Sequence, residues 1–138
     1  GRVGFLFQNP DEQLFSDTVE EEIAFAPKLL DKKADIDALL ALSGLETVRL
    51  RHPQTLSRGQ RQFLALISIL SFDPEILILD EPTTGLDPVS RKRFFSGLNE
   101  LSGPQTTIIF STHDSEVAQF AGRSITLKKG RIEQDEIH

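Results

Sequence analysis

The sequence predicts an α/β fold in which a mostly parallel sheet is interrupted by an inserted helical segment. Residues 76–79 are four consecutive aliphatic residues, which is typical of a parallel strand buried on both faces. Helical patterns separate this run from the other short apolar runs, and such alternation favours a parallel sheet. Two adjacent acids, Asp80 and Glu81, follow the central run directly, and Pro82 then stops the strand.

The first half of the chain predicts one strand and a helical insert. A strand is expected at residues 3–7, followed by a polar turn. Asp17 or Thr18 is expected to cap a helix with three glutamates in its first turn, and Pro27 is expected to end that helix. A second helix is predicted at about residues 33–43.

The second half predicts regular alternation of helices and strands. Ser57 caps a third helix, and Asp87 followed by Pro88 starts a fourth. Another buried strand is expected at residues 106–110. The remaining elements are a short helix and two strands, at residues 115–121, 124–127 and 131–133. The predicted order is strand, helical insert, then β-α-β-α-β-β.

Composition limits the classes of partner. The formal net charge is −6. Residues 11–37 contain nine acids and three bases, so this stretch accounts for the whole negative excess. Such a patch disfavours nucleic acid and anionic lipid and favours a basic protein surface, although a solvated helix face explains the acids equally well. The chain has no Cys, which excludes disulfides and thiolate metal sites.

The 138 residues contain no Met and open on what reads as a strand. We therefore expect the chain to be a piece of a longer protein, the alternative being a complete domain whose initiator Met was removed. No G-x-x-x-x-G-K-[ST] phosphate loop occurs in the sequence.

The strongest candidate site is the pair Asp80 and Glu81. Ligands of open α/β sheets bind at the carboxyl ends of the strands. One acid there could hold Mg²⁺ through water while the other polarises an attacking water. Two acids that only cap a turn are the structural alternative.

Three weaker candidates accompany this pair. Residues 56–60 place Ser57 at a helix start, where unpaired N–H groups suit a phosphate, although a plain Ser cap is common. His113 follows the strand at 106–110, but a lone histidine is more often structural. Gln8 ends the first strand and could reach a metal or water.

Together and in this order, these motifs resemble the ATP-binding-cassette (ABC) ATPase domain along essentially the whole chain. Gln8 is similar to the Q-loop glutamine, residues 56–60 to the signature motif, residues 76–80 to the Walker B strand and Glu81 to the catalytic glutamate. Residues 85–87 are similar to the D-loop and His113 to the switch histidine. Residues 7–15 and 18–25 further resemble the ATPases of cobalt/nickel importers and of energy-coupling-factor (ECF) vitamin importers.

The resemblance implies a partial RecA-like P-loop NTPase core, with residues 1–8 and 73–138 in the core and residues 9–72 in a helical subdomain that docks on a transmembrane subunit. It implies ATP as substrate and Mg²⁺ as cofactor, and a location on the cytoplasmic face of the membrane. The resemblance implies catalytic roles for Glu81, His113 and Gln8, and metal binding by Asp80 and Gln8. It also implies that nucleotide held against a second ABC ATPase domain is contacted by Ser57, Gly59, Gln60 and Asp87.

Two departures from the family pattern stand out. Arg58 occupies a signature position that is usually Gly, where a cation opposes the helix dipole but would also face nucleotide phosphates. The phosphate loop and the adenine-stacking aromatic of the family belong upstream of Gln8.

The competing interpretations are a soluble ABC ATPase of translation or DNA repair, and a non-catalytic interaction module. Nucleic-acid partners usually demand basic patches, which the sequence lacks.

Overall fold

The computed structural model describes residues 2–138. Gly1, which belongs to the predicted core segment 1–8, lies outside the described residues. Three parallel strands form the central sheet in the order β1-β2-β3, and two antiparallel strands form a separate hairpin. The strands are β1 (Val3–Leu6), β2 (Ile76–Leu79), β3 (Thr107–Phe110), β4 (Arg123–Lys128) and β5 (Arg131–Ile137).

Three helices lie between β1 and β2, and two more alternate with the later strands, so the predicted order of elements is confirmed. The helices are α1 (Val19–Leu29), α2 (Ile36–Ser43), α3 (Arg58–Leu70), α4 (Pro88–Leu101) and α5 (Ser115–Ala118). Between residues 2 and 138, none of the helices is long and apolar enough to cross a membrane.

Short-range hydrogen bonds set the helix starts, and the predicted caps Thr18, Ser57 and Asp87 are confirmed. Helix α2 begins at Ile36, later than the predicted start at about residue 33, because Asp35 caps it. Side chains of Thr18, Asp35, Ser57 and Asp87 each accept a backbone N–H from the first turn of the following helix. The predicted stop at Pro27 is wrong, because α1 continues to Leu29. Pro27 lies in the last turn, where its missing N–H removes a single helical hydrogen bond, and it is buried.

Burial of the central sheet is one-sided, which corrects the prediction that its strands are buried on both faces. Leu77 and Leu79 on β2 are 0% and 1% exposed, whereas Ile76 on the opposite face is 37% exposed. Ile109 on β3 is 55% exposed. Helix α3 covers the first face so closely that a Cβ on Gly4 would collide with Ile69. Within residues 2–138 the other face keeps its apolar side chains partly exposed.

The acids of the helical insert are mostly engaged in its own structure. Arg49 binds both Glu20, at 2.7 Å, and Asp37, at 2.9 Å. Asp11 lies 2.9 Å from Arg61. Glu22 is only 4% exposed, and its carboxylate accepts the backbone N–H groups of residues 15 and 16 at 3.0 and 2.7 Å. Five of the nine acids between residues 11 and 37, with Asp35 as the fifth, therefore hold an ion pair or accept a backbone N–H within the insert.

Candidate functional site

The carboxyl ends of the three parallel strands meet at one edge of the sheet. The Asp80 N–H donates to the Leu6 carbonyl, and the Ser111 N–H donates to the Leu79 carbonyl, each at 3.0 Å. Gln8, which follows β1, and His113, which follows β3, therefore lie at the same edge as the acidic pair after β2. The gathering of these groups follows from the parallel topology.

A single hydroxyl links the two acids. The Ser111 Oγ donates to Asp80 Oδ1 at 2.8 Å and accepts the Glu81 N–H at 3.0 Å. Because one atom serves both neighbours, Ser111 fixes the direction of the Asp80 carboxylate relative to the backbone of Glu81.

Glu81 is held in an unusual conformation beside His113. Its φ of 45° lies in the left-handed region, which residues other than glycine rarely adopt. Its Oε2 accepts from the Thr84 Oγ1 at 3.1 Å and lies 3.0 Å from the Nδ1 of His113. The Glu81 side chain is 23% exposed and that of His113 is 77% exposed. The carboxylate is thus oriented by two neighbours and still reaches solvent, as a proton acceptor for water requires.

A second cluster lies where α3 and α4 begin. Ser57 and Gln60 form a capping box, in which the Ser57 Oγ accepts the Gln60 N–H at 3.2 Å and the Gln60 Oε1 accepts the Ser57 N–H at 2.9 Å. A Cβ on Gly59 would lie 3.1 Å from the Ser90 Oγ, and that hydroxyl donates to Asp87 at 2.7 Å. The backbone N–H and the hydroxyl of Ser90 hold the pKa of Asp87 below its ordinary value. A cleft of about 320 Å³ opens beside this cluster.

The structure therefore separates the predicted site residues into two groups. At the sheet edge His113 contacts Glu81 directly, and Ser111 joins Glu81 to Asp80. Gln8 lies exposed at the same edge. The predicted nucleotide-contacting residues lie instead at the helix starts, namely Ser57, Gly59, Gln60 and Asp87. Arg58 does not extend freely from its helix, because its guanidinium donates to the Thr84 carbonyl at 3.2 Å.

The sheet-edge donors fit Mg²⁺ that arrives with a phosphate ligand. Mg²⁺ prefers oxygen ligands and commonly uses one or two carboxylates together with substrate phosphates and water. Asp80 offers one exposed carboxylate, and Ser111 and Gln8 add oxygen donors at the same edge. Within residues 2–138 no group of three acids or histidines has the spacing of an all-protein metal site.

Ser111 is a site residue that the sequence predictions missed. The sequence feature that could have indicated it is its position as the first residue after β3, at the sheet edge that holds the acids.

Ser111→Ala removes both hydrogen bonds, so we expect faster amide exchange at Glu81. We also expect the free energy of unfolding to fall by about 0.5–1.5 kcal/mol for each hydrogen bond lost. Hydrogen exchange should detect this, with Ser96→Ala on the exposed side of α4 as control. Unaltered exchange at Glu81 would show that Ser111 does not hold the site.

A family profile described as "AAA domain, putative AbiEii toxin, Type IV TA system" matches residues 9–118. The match, the parallel sheet and the acids at its edge define an α/β ATPase domain. The energy-coupling factor transporter ATP-binding protein EcfA of Methanococcus maripaludis is 42% identical over 137 residues, which cover 94% of this chain and 49% of that protein.

Two solved structures share the fold. One is cbiO1 from Clostridium perfringens, described as part of the ABC transporter complex cbiONQ, with a TM-score of 0.82 and 31% identity over 97% of this chain and 56% of that one. The other is a dimeric ATP-binding cassette in a post-hydrolysis state with ADP and Pi, with a TM-score of 0.79 and 28% identity over 99% of this chain and 62% of that one. The chain belongs to the family of ABC transporter ATP-binding domains. It spans about half the length of the EcfA relative.

Proposed function

We propose that the chain carries the hydrolytic carboxylate and the signature motif of an ATPase that powers an importer of the cobalt/nickel or ECF vitamin type. The observation that carries the proposal is the Glu81 carboxylate, partly exposed at the sheet edge and 3.0 Å from His113. The names of the EcfA and cbiO1 relatives, an energy-coupling factor transporter protein and a part of an ABC transporter complex, support a role in transport.

In this proposal Glu81 is the general base. Water attacks the γ-phosphorus of ATP, its proton passes to Glu81, and the bond to the bridging oxygen breaks to give ADP and phosphate. His113 orients the Glu81 carboxylate and donates to the γ-phosphate. Asp80, through water, and Gln8 would hold Mg²⁺, which when bound neutralises charge on the phosphate oxygens.

The second cluster would serve nucleotide bound by another ABC domain. Ser57, Gly59 and Gln60 lie at the start of a 13-residue helix, whose positive end suits a γ-phosphate. Asp87 would lie at the seam between the two domains, arranged head to tail. The dimeric neighbour described with ADP and Pi supports such an assembly.

The 138 residues contain no G-x-x-x-x-G-K-[ST], so the proposal requires a phosphate loop outside them. Residues 1–138 alone are therefore expected to bind ATP weakly and to release almost no phosphate, because the triphosphate lacks its cradle. A longer protein that includes the phosphate loop should hydrolyse ATP. Phosphate release by both purified proteins measures this. Sustained turnover by residues 1–138, above that of the same chain with Glu81→Gln, would refute the prediction.

We further propose that residues 9–72 dock on a basic surface of a transmembrane subunit, which would place the ATPase on the cytoplasmic face of the membrane. Core segments 1–8 and 73–138 would carry the hydrolytic site. A groove of about 210 Å³ between β1 and the insert, with exposed Phe15 and Phe25 at its side, supports this docking face.

The structure selects which acids should test this docking. Glu22 is buried and Glu20 is paired with Arg49, so reversing them would disturb the insert itself. Glu12, Asp17 and Glu21 are exposed. Changing these three to Lys is expected to reduce co-purification of the ATPase with its membrane subunit by at least several-fold, because like charges then face each other. Glu136→Lys on β5 is the control, and undiminished co-purification of the triple variant would contradict the proposal.

A further inference from the structure

We propose that Arg58 is a positioning residue, which ties the first turn of α3 to the turn after Glu81 and thereby orients the Glu81 carboxylate. The inference rests on the proposed function, in which that carboxylate is the general base. It assigns a role to the one signature position at which this chain departs from the family pattern.

Arg58 contacts the turn in two ways. Its Nη2 donates to the carbonyl of Thr84 at 3.2 Å. Its guanidinium also lies on Gly85, since a Cβ added there would be 3.1 Å from the Arg58 Cζ. Gly85 has a φ of 77°, so the backbone conformation and the close approach both favour glycine at this position.

The contact continues from the turn to the reacting group. The Thr84 Oγ1 donates to the Glu81 Oε2 at 3.1 Å, and the Thr84 N–H donates to the Glu81 carbonyl at 3.2 Å. The same Oε2 lies 3.0 Å from His113. A displacement of Thr84 therefore changes one of the two contacts that orient the carboxylate.

A second side chain of α3 holds the other side of the same turn. Gln62 lies one helical turn after Arg58, is 3% exposed, and donates to the Pro82 carbonyl at 2.8 Å. Pro82 and Thr84 flank the middle of the turn, so α3 fixes it at two points. This anchoring suits Glu81, whose positive φ persists only where the surrounding structure determines it.

Arginine suits this position better than other cations. At the first residue of α3 a positive charge opposes the helix dipole, so the helix itself gains nothing from it. A planar guanidinium packs flat on Gly85 while it donates to a carbonyl, whereas a lysine ammonium could only donate. Replacing Arg58 by Ala should leave α3 intact and remove the tie.

The test compares Arg58→Ala, Arg58→Lys and the exposed control Arg131→Ala in the longer protein that includes the phosphate loop. Without nucleotide, we expect amide exchange in residues 83–87 to accelerate roughly three- to tenfold in Arg58→Ala, as loss of one hydrogen bond implies. The kcat for ATP should fall by a similar factor with KM unchanged. Arg58→Lys should restore part of both effects, and Arg131→Ala should match the wild type.

Two outcomes overturn the inference. Unchanged exchange in residues 83–87 of Arg58→Ala would show that Arg58 does not hold the turn. A raised KM with unchanged kcat would show that Arg58 acts on the nucleotide and not on Glu81. Wild-type turnover by a Glu81→Gln protein would instead refute the proposed function, and the exchange comparison would still decide whether Arg58 holds the turn.

Discussion

Glu81→Gln is expected to lower ATP turnover about 10²- to 10⁴-fold in the longer protein that includes the phosphate loop, which is the usual contribution of a general base. The amide has nearly the same shape as the carboxylate but cannot take a proton from water. The turn should keep its structure, because the Gln carbonyl oxygen can still accept the hydrogen bond that Thr84 gives to Glu81. ATP binding should persist, so that the loss lies in kcat.

Single-turnover hydrolysis together with nucleotide binding would separate these two effects. Glu136→Gln, on the exposed strand β5, is the matched control and should hydrolyse ATP at the wild-type rate. If Glu81→Gln retained a rate within about threefold of wild type, Glu81 would not be the base. An unchanged KM with a low kcat would agree with its proposed role.

The sheet-edge group could be predicted from sequence because it depends on topology more than on side-chain detail. The apolar run before Asp80 and the strand before His113 were both visible, and parallel strands bring their carboxyl ends to one edge. The bridging role of Ser111 was not predictable in the same way. Only the pairing of β2 with β3 places its hydroxyl against both acids.

Arg58 shows a second limit of prediction from sequence, which concerns the contact partner of a long charged side chain. Its position at a helix start left two roles open, a cation that opposes the helix dipole or one that faces a phosphate, because a long flexible side chain can reach any acceptor within its length. In the structure the acceptor is a backbone carbonyl 26 residues away in sequence. The acids of the insert behave similarly, since the partners of Glu20 and Asp11 are arginines distant in sequence. Charge counts alone could not separate these internal pairs from an exposed surface.

Local hydrogen bonding explains why helix starts were predicted well and strand burial was not. A helix cap, such as Ser57 or Asp87, depends only on residues within one turn. All the residues that determine it are therefore neighbours in the sequence. Burial of a strand depends on how many layers pack on the sheet. Four aliphatic residues in a row are compatible with either one or two covering layers, and within residues 2–138 one face of β2 is covered.

This asymmetry gives a stability prediction for β2, the strand that positions the acidic pair. Leu77→Ala is expected to lower the free energy of unfolding of residues 1–138 by about 2–5 kcal/mol, because Leu77 is 0% exposed. Ile76→Ala, on the same strand and 37% exposed, should lower it by roughly 1 kcal/mol.

Urea denaturation of the two variants and the parent chain would measure both changes, and equal m-values would show that the same transition is compared. The larger change is a substantial part of the 5–15 kcal/mol typical of a domain, so Leu77→Ala should also populate unfolded chain at moderate temperature. Comparable losses for the two variants would contradict one-sided burial. They would mean that a further layer covers the face of Val3, Phe5 and Ile76, as the original pattern of four aliphatic residues suggested.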